Sequence, residues 1–143
     1  MTTPKLSDQF CFAIYSTLLA INKSYRPLLE KLGLTYSQYL VMLVLWEQNQ
    51  LTVSEIGEKL FLDSATLTPL LKRMENAHLI ERNRSSKDER HVVVALTESG
   101  SNLRHQAARV MDTMVCNLDC PIDELNVLQT RLMQLRNNLI KRL

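Results

Sequence analysis

The chain has 143 residues, 45% hydrophobic and 22% charged, with a formal net charge of +2. That suffices for one domain with a real core, and it excludes disordered and fibrous classes. A charge so close to neutral leaves any attraction for a polyanion to local basic patches.

In chain order, Ser7 or Asp8 can cap a first helix. Its stripe of Cys11, Tyr15, Leu18, Asn22, Tyr25, Leu29 and Leu32 advances in steps of three and four and is broken only at Asn22. Phe10, Ile14, Leu19, Ile21 and Leu28 widen the apolar surface. A helix apolar on more than one side needs covering on more than one side, which in a small protein suggests a partner subunit. Pro27 is a candidate bend, and Gly33 ends the helix as a C-cap glycine. Thr35 or Ser37 can cap a second helix, expected to bury Leu40, Leu43, Val44 and Trp46 before Asn49 and Gln50 close it.

Residues 51–96 organise the chain. Thr52 and Glu55 form a capping box that starts a short helix at Thr52, with Val53, Ile56, Gly57 and Leu60 inward. Phe61, Leu62 and Asp63 break the pattern, and Asp63 is a good N-cap for the next helix. There Leu67, Leu70, Leu71 and Met74 make one face, while Ser64, Thr66, Thr68, Lys72 and Arg73 make the other. Pro69 falls in the second turn of a helix starting at Ser64, and a start at Thr68 would avoid that. The longer helix with a local kink is preferred, because Leu67 otherwise leaves the apolar stripe. Two β-prone runs, 79–82 and 91–96, flank the polar stretch 83–90 and predict a hairpin with a long basic tip.

Thr97 to Gly100 start another helix, with Leu103, Ala107, Val110, Met111, Met114 and Leu118 as its stripe. Pro121 is placed as the first residue of a last helix carrying Leu125, Leu128, Leu132, Leu135, Leu139 and Leu143. The predicted fold is mainly α with a small β-hairpin wing: a winged helix-turn-helix over about 34–100, with a dimerisation layer from the end helices, about 1–33 and 101–143. The end stripes cannot be buried on the winged motif alone, so two chains sharing them is the natural solution. Hydroxyls at the start of a helix and cations further along suit a major groove, and two such heads face a pseudo-palindromic duplex.

No apolar run reaches the roughly 18 residues of a membrane span, and residues 1–5 lack a signal-peptide core. The expected compartment is the cytoplasm, where Cys11, Cys116 and Cys120 are packing residues or redox-active ones. Tyr25 lies fourteen residues beyond Cys11, roughly 21 Å along a straight helix. If two first helices pack antiparallel, Tyr25 of one chain, and Tyr36 beyond the turn, can approach Cys11 of the other. Phenols donate hydrogen bonds that favour a thiolate, the form that attacks a peroxide. No general acid–base pair, nucleotide loop or metal-ligand cluster competes, and Cys116 and Cys120 lack histidines at zinc spacing. Neither a metal nor a cofactor is expected, and the chain does not read as an enzyme.

The stretches FCFAIYS, LGLTYSQYLVMLVLWE, LTVSEIGEKLFLDSATLTPLLKRME and SSKDERHVVVALTESG make the chain resemble the MarR family of winged-helix regulators, in its organic hydroperoxide-sensing (OhrR-type) branch. The resemblance covers about residues 9–100. It implies a single MarR-type domain over 1–143 and a homodimeric repressor that leaves operator DNA when Cys11 is oxidised by an organic hydroperoxide. In that family two tyrosines of the partner subunit hold the reactive thiolate, and Tyr25 and Tyr36 match them. It matches Ser64, Thr66 and Thr68 to the start of the recognition helix, with Arg90 entering a minor groove and Asp88 orienting it. Lys72 and Arg73 on the same helix face, and Arg84 in the wing, are further candidate DNA contacts read from the residues themselves. The resemblance favours the two-cysteine type, with Cys116 as the resolving thiol in an intersubunit disulfide and Cys120 as the weaker candidate. Phe10, Phe12, Ile14 and Leu18 are candidates for an apolar peroxide pocket. Two other readings stand beside it: a repressor of the same fold gated by a small aromatic ligand, with Cys11 inert, and a thiol peroxidase.

Overall fold

The computed structural model describes residues 2–88 and 90–143, so Glu89 of the expected tip lies outside the described residues. The chain divides into two compact units, Met1–Val110 and Met111–Leu143.

The first unit opens with a 3-10 turn, Leu6–Asp8, followed by α1, Phe10–Glu30. Neither Ser7 nor Asp8 caps α1. Both residues are spent in the preceding turn, and Gln9 holds the N-cap position without a side-chain bond. Pro27 lies within α1. Gly33 ends the helix region with φ 71°, a conformation that costs glycine nothing. The Leu34 N–H donates to the Leu29 carbonyl at 3.1 Å and the Gly33 N–H to that of Glu30 at 3.0 Å, a Schellman closure.

α2, Tyr36–Glu47, is capped by Thr35 rather than Ser37, in a full capping box with Gln38. Its buried residues are Tyr39, Val41, Met42 and Leu45. The expected set fails here: Leu43 is exposed, and Leu40, Val44 and Trp46 are only half-buried. YLVMLVLW is apolar all round, so periodicity had no polar face by which to choose. The Trp46 indole N–H donates to the Gly100 carbonyl at 2.9 Å.

α3, Val53–Leu60, and α4, Ser64–Asn76, follow with the expected caps at Thr52 and Asp63. Ile56 and Gly57 are buried, whereas Val53 and Leu60 are half-buried. α4 takes the longer course, with Pro69 inside it and Leu67, Leu70, Leu71 and Met74 buried. Between the two helices the chain turns tightly over Gly57. A Cβ there would meet the Leu62 carbonyl oxygen at 2.7 Å.

The sheet has three strands rather than a lone hairpin. β1, Leu51–Thr52, β2, Ile80–Arg84, and β3, Val92–Leu96, pair antiparallel in the order β1-β3-β2. Two-residue β1 is too short for any period-2 signal, and it pairs Leu51 with Val94 and Thr52 with Val93. β2 runs two residues further than expected, pairing Asn83 with Val93 and Arg84 with Val92. Asn49 ties this corner together, its Oδ1 accepting from the Leu96 and Gln50 N–H groups, both at 2.9 Å.

The expected single helix after the wing is two, α5, Glu98–Asn102, and α6, Arg104–Leu118. Ser99, Gly100, Ser101 and Asn102 have weak helix propensity, and the chain tightens at Leu103. Ala107 and Val110 join the first unit's core, and Met114 is buried too, but Met111 and Leu118 are exposed.

In the second unit, α7, Ile122–Ile140, has Pro121 as its N-cap rather than its first residue. No residue of α7 is buried. Leu128, Leu132 and Leu139 are exposed, and Leu143 lies past the helix end. On the first unit the N-terminal part of α1 is equally bare at Phe10, Tyr15, Leu18 and Leu19.

Removing the α3 cap with Thr52→Ala should lower stability by about 1 kcal/mol. Gly57→Ala should cost more, since backbone has to move. Denaturant titration of both variants checks the order.

Candidate nucleic-acid interface and thiol site

α4 is held by one face and offers the other. Ser64, Thr66, Thr68, Lys72 and Arg73 are all exposed, opposite buried Leu67, Leu70, Leu71 and Met74. Its N-terminus is fixed by Asp63, whose Oδ1 accepts from the Thr66 N–H at 2.8 Å. That bond holds the Asp63 carboxyl below the usual carboxylate range. At the other end Glu75 accepts twice from Arg82 of β2, from the backbone N–H and from Nη2, each at 3.2 Å. These bonds hold Glu75 below its usual range and tie the helix to the wing.

At the wing tip the Arg90 guanidinium donates to both Asp88 oxygens, Nε to Oδ1 and Nη2 to Oδ2 at 3.2 Å each, while the Arg90 N–H donates to Oδ1 at 3.0 Å. His91 Nε2 lies 3.3 Å from Oδ2. Arg90's bonds, with His91 adding less, hold the Asp88 carboxyl below its ordinary value. The Arg90 side chain is 89% exposed, so the pair is a fixed guanidinium aimed outward rather than a stability element. Arg84 stands at the end of β2, facing Val92 across the ladder.

The thiol site is divided. Cys11 lies exposed in the first turn of α1. Tyr25 lies on the same helix, roughly 21 Å away by helical rise, so the chain does not bring its own thiol to its own phenol. It does bring Tyr25 to Tyr36, with ring centroids 4.8 Å apart. Tyr39, which the sequence reading missed, completes the cluster at 5.9 Å from Tyr25 and 6.4 Å from Tyr36. Its signal was available, since Tyr36 and Tyr39 lie three apart on one helix face. Burial, then the neighbouring phenols Tyr36 and Tyr39, push Tyr25 up to about 12. Burial also raises Tyr36 and Tyr39. All three therefore keep their protons at neutral pH and can donate.

Beside the cluster is a cavity of about 350 Å³ lined by residues of α1 and the start of α2, among them Asn22, Tyr25, Arg26 and Tyr36. Phe10, Phe12, Ile14 and Leu18 are exposed on α1. In the other unit Cys116 is exposed. The Cys120 thiol donates to Glu124 Oε2 at 3.5 Å. Desolvation, with the Glu124 and Asp119 carboxylates, raises its pKa. Among the described residues no cluster of three metal-binding side chains occurs, and no helix is long and apolar enough to cross a membrane.

A helix pair with an exposed hydroxyl-and-cation face and an adjoining wing defines a winged helix-turn-helix regulator of transcription. Residues 23–107 match the transcriptional regulator SarA/Rot family. The organic hydroperoxide resistance transcriptional regulator of Bacillus subtilis is 50% identical over 111 residues, 78% of this chain and 76% of that one. Reduced AbfR bound to DNA, a Staphylococcus epidermidis protein, superposes with a TM-score of 0.78 at 36% identity, covering 94% of each chain. Disulfide-formed AbfR gives 0.68 at 35% identity over 91% of each. The chain belongs to the SarA/Rot family of transcriptional regulators, which shares the MarR-type winged helix.

The phenol cluster sets a pH signature. A folded-state pKa of about 12 for Tyr25, against the usual 10.0, means that its contribution to stability is complete below pH 10 and is lost as pH rises towards 12. Tyr25→Phe should therefore gain stability relative to the parent between pH 8 and pH 11. Denaturant midpoints at the two pH values measure this, and an unchanged difference would contradict the assignment.

Proposed function

We propose that the chain is a homodimeric repressor that senses organic hydroperoxides through Cys11 and releases operator DNA when that thiol is oxidised. One observation carries this reading: an exposed thiol on α1 and a cluster of protonated phenols that it cannot reach within its own chain. A second copy packed antiparallel along α1 supplies the contact, and it also covers the bare apolar faces of the end helices. The phenols of Tyr25 and Tyr36 then donate to the partner's thiolate and favour that form.

The thiolate attacks the outer oxygen of the hydroperoxide. An S–O bond forms, the O–O bond breaks, and its electron pair leaves with the alkyl-side oxygen, which takes up a proton as an alcohol. Sulfur is oxidised to the sulfenic acid and the peroxide is reduced. A thiolate of the second chain can then attack the sulfenic sulfur: the S–S bond forms, the S–O bond breaks, and the hydroxide that leaves takes a proton from solvent to become water. Cys116 is the resolving thiol in this reading. Cys120 is disfavoured because desolvation, with the Glu124 and Asp119 carboxylates, raises its pKa, and the thiol form is a poor nucleophile. The bridged sulfurs require Cα atoms within about 7 Å, so a wider spacing in the reduced dimer closes on oxidation and carries the helices of the two reading heads with it. The relatives agree in kind: one is named for organic hydroperoxide resistance, and another is known reduced on DNA and in a disulfide form.

DNA is held by the exposed face of α4, through Ser64, Thr66, Thr68, Lys72 and Arg73, with Arg84 on phosphate and Arg90 in a minor groove, its guanidinium fixed by Asp88. The cavity beside Tyr25 favours one competing reading, a repressor gated by a small aromatic ligand with Cys11 inert. Cys11→Ser separates the two. Operator binding should persist, and release by cumene hydroperoxide should be lost. A variant that still lets go on peroxide treatment would sink the sensor assignment. Non-reducing electrophoresis after peroxide should show a covalent dimer that disappears in Cys116→Ser.

Arg90→Ala should weaken operator binding and lower the slope of log affinity against log salt by about one. Titrations at several salt concentrations measure both, and an unchanged slope counts against the wing contact.

A further inference from the structure

Among the described residues two buried side-chain polar atoms have no hydrogen-bond partner, Asn22 Oδ1 and Arg82 Nε. Arg82 is otherwise engaged by Glu75. Asn22 has no such explanation. It is the single polar interruption of the α1 stripe, it lies one turn before Tyr25, and it lines the same cavity of about 350 Å³ as Tyr25 and Tyr36. A shielded acceptor left unpaired costs free energy, so its persistence points to a donor that arrives from outside the chain.

The chemistry around it is asymmetric. Tyr25 and Tyr36 hold their protons and offer O–H donors, whereas Asn22 Oδ1 can only accept. An organic hydroperoxide carries one O–H that must be accepted and two oxygens that take donated bonds. We propose that Asn22 accepts the hydrogen bond from the outer O–H of the hydroperoxide and so orients the oxygen that sulfur attacks. The inference rests on the reading of Cys11 as the sensor. Asn22 is eleven residues from Cys11 on the same helix, roughly 16 Å by helical rise, so the thiol concerned is the second copy's.

The step balances without a further reagent. The thiolate forms the S–O bond, the O–O bond breaks towards the alkyl-side oxygen, and that oxygen leaves as alkoxide and is protonated from the Tyr25 phenol or from water. The outer oxygen keeps its hydrogen throughout, as peroxide O–H before the transfer and sulfenic O–H after it. One acceptor therefore serves both states, and Asn22 also steadies the sulfenic acid until the resolving thiol arrives.

The test uses the full-length dimer with Asn22→Leu, which keeps size and removes the acceptor, and Asn22→Asp, which keeps an acceptor. Cys11 oxidation by cumene hydroperoxide should slow about tenfold in Asn22→Leu, the scale of one lost hydrogen bond, and much less in Asn22→Asp. Reaction with methyl methanethiosulfonate, which brings no O–H or N–H, should proceed at the parent rate in both, and operator affinity of the reduced proteins should be unchanged. Parent-rate oxidation in Asn22→Leu overturns the inference, and so does an equal slowing with both reagents, which would place the effect on the thiolate. If Asn22→Leu does not fold, Asn22→Asp and Asn22→Ala carry the same comparison. Cys11→Ser run alongside keeps the two failures apart: continued release by peroxide in that variant removes the sensor reading itself, whereas loss of release with normal Asn22→Leu kinetics removes only the role of Asn22.

Discussion

A helix cannot fold back on itself, and the stiffness of α1 governs the rest of the molecule. Phe10–Glu30 is one rod. Its C-terminal end is sunk in the core through Leu29, with Leu28 packed against it, and is closed onto Leu34 by the Gly33 turn. Its N-terminal end carries Cys11 among bare apolar side chains. The rod keeps Cys11 apart from Tyr25 within a chain, so any contact between these two groups requires a second chain. The uncovered faces and the divided site are thus two consequences of one geometry. In the dimer proposed above, the partner that brings Tyr25 to a thiol also covers Phe10, Leu18 and Leu19, which are exposed in the single chain.

The reading head depends on a different device. α4 carries Pro69 within its thirteen residues, which removes a backbone hydrogen bond, and its own propensity would not hold it. Four buried apolar side chains, the Asp63 cap and the Glu75–Arg82 bridge fix it instead. Asn49 and β1 anchor the root of the wing. The exposed side chains are therefore carried on a frame determined from behind, which leaves the outward face free to be chosen for a ligand rather than for stability.

Where one pattern dominated, the sequence was readable. The Thr52 and Asp63 caps, the α4 stripe and the strands flanking the wing all followed from spacing and turn chemistry, because an amphipathic helix shows its buried side in its polar one. α2 was misread for the opposite reason: with no polar side, YLVMLVLW gave nothing to orient, and Tyr39 proved to be the buried aromatic. β1 is two residues long and exists only because β3 pairs with it, a tertiary cause that no local pattern records. The break at Leu103 was hidden because the apolar stripe runs across it. At the candidate site, Cys11, Tyr25 and Tyr36 stood out by residue type, and Tyr39 was legible from its spacing of three from Tyr36 on α2, whereas the Glu75–Arg82 bridge depends on a contact between two elements.

The position of the phenol cluster bears on how a chemical event could reach the DNA face. Tyr25 belongs to α1, and Tyr36 and Tyr39 belong to the first turn of α2, so the three rings sit across the joint between the thiol-bearing rod and the reading head. Beyond that joint the connection is a packed one: α2 buries Val41, Met42 and Leu45 in the cluster that also holds Ile56 of α3 and Leu67 and Leu71 of α4. Interiors packed to crystal density transmit a displacement rather than absorb it. The oxidation proposed for Cys11, by removing negative charge from a sulfur held by the partner's Tyr25 and Tyr36 and then pulling on α1, would act at this joint, where a change in the angle between α1 and α2 moves α4 as a body. On the mechanism proposed above, oxidation need favour the displaced arrangement of the dimer by only a few kcal/mol to empty the operator, and a disulfide that the DNA-bound spacing cannot accommodate would supply such a preference.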